Sequence, residues 1–305
     1  MQGALIIDKP EHLTSHDVVD SVRRAILLRR VGHAGTLDPF ATGVLVVCAG
    51  QATRLIQFLV GLDKKYTATV RLGFATDTQD YTGIRISPAA SSKGLSLEDI
   101  KGVVKEFIGP QWQMPPMFSA KKVGGERLYK AAREGREVER QPVMIDVYGI
   151  ELSSTLKDNR DETREFSIDV HCSSGTYIRT LAHDLGERLG VGAHLSGLRR
   201  TAVGHFDLSR ALTLEGLESL AVEGRLSESL ISPAETLVHL PALHLSRGEA
   251  ERASKGQAIE AKGEIEENGL PVRLIDERGR LVAVGEREGR LVCPRVVLNE
   301  AASEG

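Results

Sequence analysis

The 305-residue chain carries 39 Lys and Arg against 42 Asp and Glu, a formal net charge of −3, which argues against a protein that holds polyanions by bulk charge alone. Its apolar runs, such as GVLVVCAG, are far too short to span a bilayer, and the N-terminus passes directly into the strand-like ALIID, so a cytoplasmic protein without a cleaved signal is expected. Three widely spaced cysteines, Cys48, Cys172 and Cys293, sit in apolar strand-like runs and predict reduced, buried thiols with no metal constellation.

After ALIID, the segment Thr14 to Leu28 predicts a helix: Thr14 and Asp17 stand at capping-box spacing, and Val18, Val22, Ala25 and Ile26 share one face. The loop VGHAGTLDP follows, then a strand over Gly43 to Cys48. YTATVRLGF predicts a strand, DTQDYTG a loop and, beyond a Ser-rich break near Ser91, SLEDIKGVVKEFIG a helix. PPMFSAKKVGGERLYKAAREGREVERQP, Pro-started, Gly-interrupted and basic, predicts a loop-and-helix arm. Residues 143–152 and 165–172 predict strands, TYIRTLAHDLGERLG a helix with Leu181, Leu185 and Leu189 toward one core, and Leu212 to Glu235 a surface helix. Pro241 opens a different texture: a short helix capped by Ser246 and Glu249 and stopped by Gly256, then three short strands in VRLID, RLVAVGE and RLVCPRVVL, as a small β-barrel requires.

Charge is uneven along this order. Residues 21–54 hold five basic residues and one acid, residues 117–140 seven basic and four acidic, and residues 205–239 two basic and six acidic, so one basic face is conceivable though mixed surface charge gives such windows by chance. The acid in the first window is Asp38, ahead of Pro39 and among Gly32, Gly35 and Gly43, in an extended, presented position. A metal site wants several ligands and a glycosidase wants two carboxylates, so this lone acid either caps a turn or does chemistry by itself.

HAGTLDPFATGVL, with DKPEHLTS before it and KKYTATVRLG, PPMFSAKKVGGERLY, CSSGTYIRTLAHDLGERLG and GAHLSGLRRT after it, resembles the ordered motifs of the tRNA pseudouridine-55 synthases of the TruB family. The resemblance covers Ile6 to Phe206, and the tail from Leu240 is more weakly similar to that family's PUA-like RNA-binding module. It implies an α+β fold: a mixed, largely antiparallel sheet with flanking helices, plus a small C-terminal PUA-like β-barrel. Residues 1–239 would form the catalytic domain, with an RNA-binding insertion at 110–142, and residues 240–305 the tail domain. A chain ended near His239 is expected to stay folded and active.

The same resemblance implies that uridine in the T-arm of tRNA becomes pseudouridine, with Asp38 as nucleophile, Arg179 as its catalytic partner, and His33, Tyr66, Tyr177 and Leu198 in contact with substrate. It implies no metal or redox cofactor, no protein partner, no membrane, and a monomer acting on tRNA. Taken alone, Arg179 also reads as a surface ion pair, Tyr66 as a core residue, and Leu198 as an ordinary helix leucine. His12 departs from the family's KPxGxTS pattern, which has Gly there, and Phe118 stands where Tyr is common. Lys9 matches a motif but also reads as a solvated strand end, and stays outside the expected site.

Two rivals remain. A non-catalytic RNA-binding protein on the same scaffold needs the arm and barrel but not Asp38. A guide-RNA-dependent synthase shares core and tail but does not need an insertion like PPMFSAKKVGGERLYKAAREG. The intact GTLDP loop with Tyr66 and Arg179 favours catalysis, and the insertion favours an enzyme that stands alone.

Overall fold

The structure is a computed structural model that describes residues 1–119, 122–123, 125–136, 138–159, 161, 163–261 and 269–298. In chain order the elements are β1 (Gly3–Lys9), α1 (Ser15–Ile26), β2 (Val31–His33), β3 (Thr42–Ala49), β4 (Lys64–Leu72), α2 (Leu97–Glu106) and β5 (Gly109–Gln113). The arm holds β6 (Lys122–Val123), β7 (Glu126–Arg127) and α3 (Leu128–Arg133). Then come β8 (Val143–Leu152), β9 (Lys157–Asp158), β10 (Arg164–Cys172), α4 (Ile178–Arg188), β11 (Ala193–Val203), β12 (Phe206–Asp207), α5 (Leu214–Val222) and α6 (Pro233–Thr236). The tail adds β13 (Ala242–His244), α7 (Arg247–Ser254), β14 (Ile259–Glu260), β15 (Pro271–Ile275), β16 (Leu281–Glu288) and β17 (Leu291–Val297). Among the described residues no helix is long and apolar enough to cross a membrane.

The large sheet runs β1-β3-β11-β4-β10-β8-β5 and is antiparallel except where β3 meets β11. That parallel joint pairs Thr42 with Arg199 and Gly43 with Arg200. Gly43 is required there: at φ +102°, a Cβ on it would lie 2.1 Å from the Arg200 carbonyl oxygen. The apolar run of β3 is buried on both faces, which is why it does not alternate in sequence. Val44, Val46 and Cys48 enter one cluster with Ala4 and Ile6. Leu45 and Val47 enter another with Leu5, Ile7 and α1's Val18, Val19 and Val22. A third cluster packs β4, β8 and β10 against α2 and α4 through Val70, Val147, Phe166, Ile168, Ile100, Val104, Leu181 and Leu185.

Helix α1 begins as its sequence predicts: Thr14 Oγ1 accepts from the Asp17 amide at 3.1 Å, and Asp17 Oδ2 accepts from the Thr14 amide at 2.8 Å. The strand β11, by contrast, is absent from the sequence expectations, and Leu198 lies on it and not in a helix. Bulges between Leu195 and Gly197 and between Arg200 and Ala202 break the period-two pattern that would have shown the strand. The expected single helix over Leu212 to Glu235 is two short ones joined by a turn of 3₁₀ helix. Cys48 and Cys172 are buried, and burial pushes their thiols up to about 12 and about 11; Cys293 is only half-buried, a correction to the expectation for it.

The tail forms one curled five-stranded sheet, β13-β15-β16-β17-β14, two strands more than the sequence pattern shows. Leu243, Ala253, Val272 and Leu274 make a small cluster of their own. Ile275, Leu281, Val284, Val296 and Leu298 instead join the cluster that holds Val44, Leu55, Leu59 and Leu237. The composition change at Pro241 does not reveal this shared core.

His12 stands at φ +70°, in the left-handed region that a residue with a Cβ adopts at a cost of about 1 kcal/mol. Its amide donates to Pro39 O at 2.8 Å, and its side chain is largely exposed, so its backbone shape is what counts. His12→Val is expected to lower stability by about 1–2 kcal/mol, whereas His12→Gly should stay within about 0.5 kcal/mol because relieved strain is offset by added unfolded-state entropy. Urea unfolding midpoints check this; a valine variant as stable as the parent would show that the turn relaxes freely.

Candidate active site

Asp38 lies in the loop between β2 and β3, and side chains from three distant segments fix that loop by binding its backbone. Lys9, at the end of β1, is fully buried, and its Nζ donates to Pro10 O (2.8 Å), Leu13 O (2.7 Å) and Pro39 O (3.1 Å). All three N–H groups are thus satisfied, and burial lowers the amine to about 8. Ser15 Oγ accepts from the Leu37 amide at 2.8 Å. Arg200 of β11, 1% exposed, donates to Val44 O (2.8 Å), Thr36 O (3.3 Å) and Gly35 O (3.1 Å). Nothing local in the sequence shows that either cation points inward: Arg200 meets three carbonyls from far along the chain, and Lys9 adds the distant Pro39 O to the nearby Pro10 O and Leu13 O.

Arg179, in the first turn of α4 and 4% exposed, reaches Asp38 through two donors, Nε to Oδ2 at 2.9 Å and Nη2 to Oδ1 at 3.3 Å. The same guanidinium donates to Thr78 O (2.9 Å) and to Phe118 O (2.7 Å) and lies 3.7 Å from Asp80 Oδ2. It therefore ties the nucleophile candidate to the 77–83 loop and to the root of the arm. Burial raises the Asp38 carboxyl above the usual carboxylate range; Arg179 opposes the rise and the Asp80 charge adds to it. The Asp38 side chain remains 35% exposed, open to the cleft, so a ligand that displaced water there would deepen the desolvation and make Arg179 matter more.

The cleft has a volume of about 270 Å³ and is lined by Asp38, Lys64, Tyr66, Ser119, Tyr177, Arg179, Leu198 and Arg200, among others. Tyr66 comes from β4, where it sits opposite Arg200 and packs on the core under the cleft; burial raises its phenol. Tyr177 precedes α4, and burial raises its phenol as well. Leu198 closes the apolar side from β11. Lys64, buried, donates from Nζ to the carbonyls of Val60 and Leu62, and burial lowers it to about 8. Asp38, Arg179, Tyr66, Tyr177 and Leu198 are therefore brought together, as expected from sequence. His33 is not in the cleft lining: it stands on β2 opposite Val47, with a ring held below its ordinary pKa by burial and by the Arg200 charge. Arg200, Lys64 and Asp80 are site residues that the sequence reading did not find.

Such a cleft suits a planar, partly polar group set against one carboxylate that its guanidinium keeps available. Residues 23–178 match the model of the TruB family pseudouridylate synthase N-terminal domain, residues 179–239 a tRNA pseudouridylate synthase B C-terminal domain, and residues 241–298 the pseudouridine synthase II TruB C-terminal domain. The chain is 48% identical over 256 residues to the tRNA pseudouridine synthase B of Geobacter sulfurreducens, covering 84% of this chain and 82% of that one. It is 44% identical over 286 residues to the corresponding protein of Heliobacterium modesticaldum, covering 94% and 90%. A solved H/ACA ribonucleoprotein bound to a substrate RNA containing 2'-deoxyuridine superposes with a TM-score of 0.75 at 26% identity, over 97% of this chain and 85% of that one. With this site at the β3–β11 joint and these matches along its length, the chain belongs to the TruB family of pseudouridylate synthases.

Proposed function

We propose that this protein isomerises uridine 55 in the T-arm of tRNA to pseudouridine, with Asp38 as nucleophile on a flipped-out nucleotide. The observation that carries this is the buried Arg179 guanidinium holding Asp38 at 2.9 Å in a cleft walled by Tyr66, Tyr177 and Leu198. In the reaction the bond from the ribose C1' to N1 breaks and a bond from C1' to C5 forms. The C5 hydrogen is lost and N1 gains one, so atoms and electrons balance within a single nucleotide and no oxidant or reductant enters. Asp38 supplies the carboxylate that opens this sequence, and Arg179 stabilises its charge once the base has excluded water. Tyr66 and Tyr177 offer aromatic contact, worth about 1–3 kcal/mol per stacked base, against the unstacking of the nucleotide. His33 lies outside the cleft lining, and its contact with substrate rests on the motif resemblance alone.

Incubating the protein with unmodified tRNA and mapping pseudouridine chemically tests the reading. One new pseudouridine in the T-arm supports it, and no product, or product elsewhere alone, overturns it. The names of the relatives at 44–48% identity favour a tRNA-acting enzyme over the guide-RNA-dependent alternative. A monomer using residues 240–305 for a second RNA contact fits this reading.

The arm is the proposed RNA grip. Its expected phosphate-binding residues are Lys121, which lies outside the described residues, Lys122, Arg127, Lys130 and Arg133, whose side chains do too, and Arg136, paired with Glu134 at 2.6 Å. Shortening residues 121–136 is expected to weaken tRNA binding and to flatten its salt dependence by about 0.7–0.9 in log–log slope for every phosphate left without its cation. Equal affinity and an equal slope in the shortened protein would put the basic face elsewhere.

A further inference from the structure

Gln113 ends β5, just before the arm, and is buried although it lies outside the cleft lining. Its Oε1 accepts from the Tyr177 amide at 2.8 Å, and its Nε2 donates to Tyr177 O at 3.0 Å. The partners fix which end of the amide is which, because a backbone N–H needs an acceptor and a carbonyl needs a donor. One side chain thus binds one residue's backbone at both ends, as a neighbouring strand would.

That residue is the N-cap of α4, where an amide would ordinarily go unpaired and where Tyr177 has no side-chain cap of its own. Tyr177 directs its ring to the cleft, and Arg179 follows two residues later in the same turn. Thr180 Oγ1 has one hydrogen, nearer to Gln79 Oε1 at 3.0 Å than to Met114 O at 3.4 Å, so the Gln113 amide is the stronger tie between these two segments. Other side chains at this end of the helix bind elsewhere, Arg179 to Thr78 O and Phe118 O and Thr180 to Gln79, whereas the Gln113 amide holds the Tyr177 backbone itself, from which the ring leaves and the guanidinium follows.

We infer that Gln113 is a positioning residue for the isomerisation, clamping the backbone of Tyr177 so that Tyr177 and Arg179 meet the substrate in register with Asp38. The inference rests on the proposed roles of Tyr177 and Arg179. A misplacement of about 1 Å at groups that contact the reacting atoms can cost about 100-fold in rate, so the clamp acts on turnover more than on RNA affinity, which the arm and its phosphate contacts dominate.

Two variants separate positioning from mere packing. Gln113→Met keeps the volume and removes both hydrogen bonds. Gln113→Glu keeps the acceptor but, when ionised, sets an oxygen against Tyr177 O; once protonated it again has an O–H for that carbonyl and matches the amide. Single-turnover pseudouridine formation, tRNA affinity and thermal unfolding are measured for both across pH 5.5–8.5. The wild-type profile, run alongside, removes the titration of Asp38, Tyr177 and their neighbours. Expected are a rate about 10- to 100-fold below wild type for Gln113→Met at every pH, tRNA affinity within about twofold, and a Gln113→Glu rate that climbs toward wild type as pH falls. A Gln113→Met protein that turns over at the wild-type rate overturns the inference while leaving the proposed function intact. So does a pair of variants whose rates fall only in proportion to their unfolded fraction, with no pH-dependent recovery. A wild-type protein that forms no pseudouridine overturns the functional reading, and this inference with it.

Discussion

Asp38→Asn is expected to lower turnover by about 10⁴-fold or more while leaving fold and tRNA affinity in place, because it removes the carboxylate proposed to attack and keeps its shape. The loop survives because its anchors bind backbone: Lys9 and the His12 amide hold Pro39 O, Ser15 holds Leu37, and Arg200 holds Gly35 and Thr36. An Asn side-chain oxygen can still accept from Arg179, and the charge that burial disfavours is gone, so thermal stability should change little. Arg179→Ala serves as the contrast. It strips donors from Asp38, Thr78 O and Phe118 O and leaves Asp38 and the buried Asp80 facing each other without their counter-charge, a loss on the order of 3–5 kcal/mol. Both variants should therefore be inactive, but only Arg179→Ala should also melt early. Single-turnover assays on tRNA with parallel unfolding curves decide it. Activity near wild type in Asp38→Asn would remove Asp38 from the role of nucleophile.

What could be read from the sequence divides along physical lines. Capping boxes at Thr14 and Ser246 were legible because their hydrogen bonds close within four residues. Asp38 and its partner Arg179 were reached through the motif resemblance, and the ion pair they form joins positions 38 and 179 that no local pattern connects. Strand β11 was hidden by two bulges, and with it the parallel joint that places Arg200 under the loop. Arg200 and Gln113 share a reason for going unread: each is a polar side chain whose partners are backbone groups of another segment, as Pro39 O is among the three carbonyls that bind Lys9. Pattern reading assigns such residues to the surface by type, and only the fold shows that each is buried and satisfied.

Ending the chain at His239 is the second large perturbation, and the core shared across that boundary predicts a different outcome from the one expected from composition. Ile275, Leu281, Val284, Val296 and Leu298 of the tail belong to the same buried cluster as Ala52, Leu55, Leu59 and Leu237, which would lose their cover. Polar ties cross the same joint: Arg54 donates to Val297 O, and Arg273 donates to Leu240 O at 2.9 Å and Ala234 O at 3.0 Å. Fully burying one aliphatic side chain contributes about 1.5–3 kcal/mol, so partial exposure of several costs on the order of 5 kcal/mol, comparable to the whole stability of many domains. The truncated chain is therefore expected to be largely unfolded or aggregated at 37 °C and inactive for that reason, although Asp38, Arg179, Tyr66, Tyr177 and Leu198 are all retained. The tail's RNA contact is better tested in the full chain. With ten basic and twelve acidic residues in 240–305, its attraction for RNA cannot rest on net charge, and exposed arginines such as Arg278 are the ones to replace. Far-ultraviolet circular dichroism and thermal unfolding of the truncated protein come first, followed by turnover on a T-arm hairpin. A cooperative melt within about 5 °C of the full chain, roughly 2.5–3 kcal/mol for a protein of this size, would show that the shared cluster contributes less than its burial implies and that the catalytic part folds by itself.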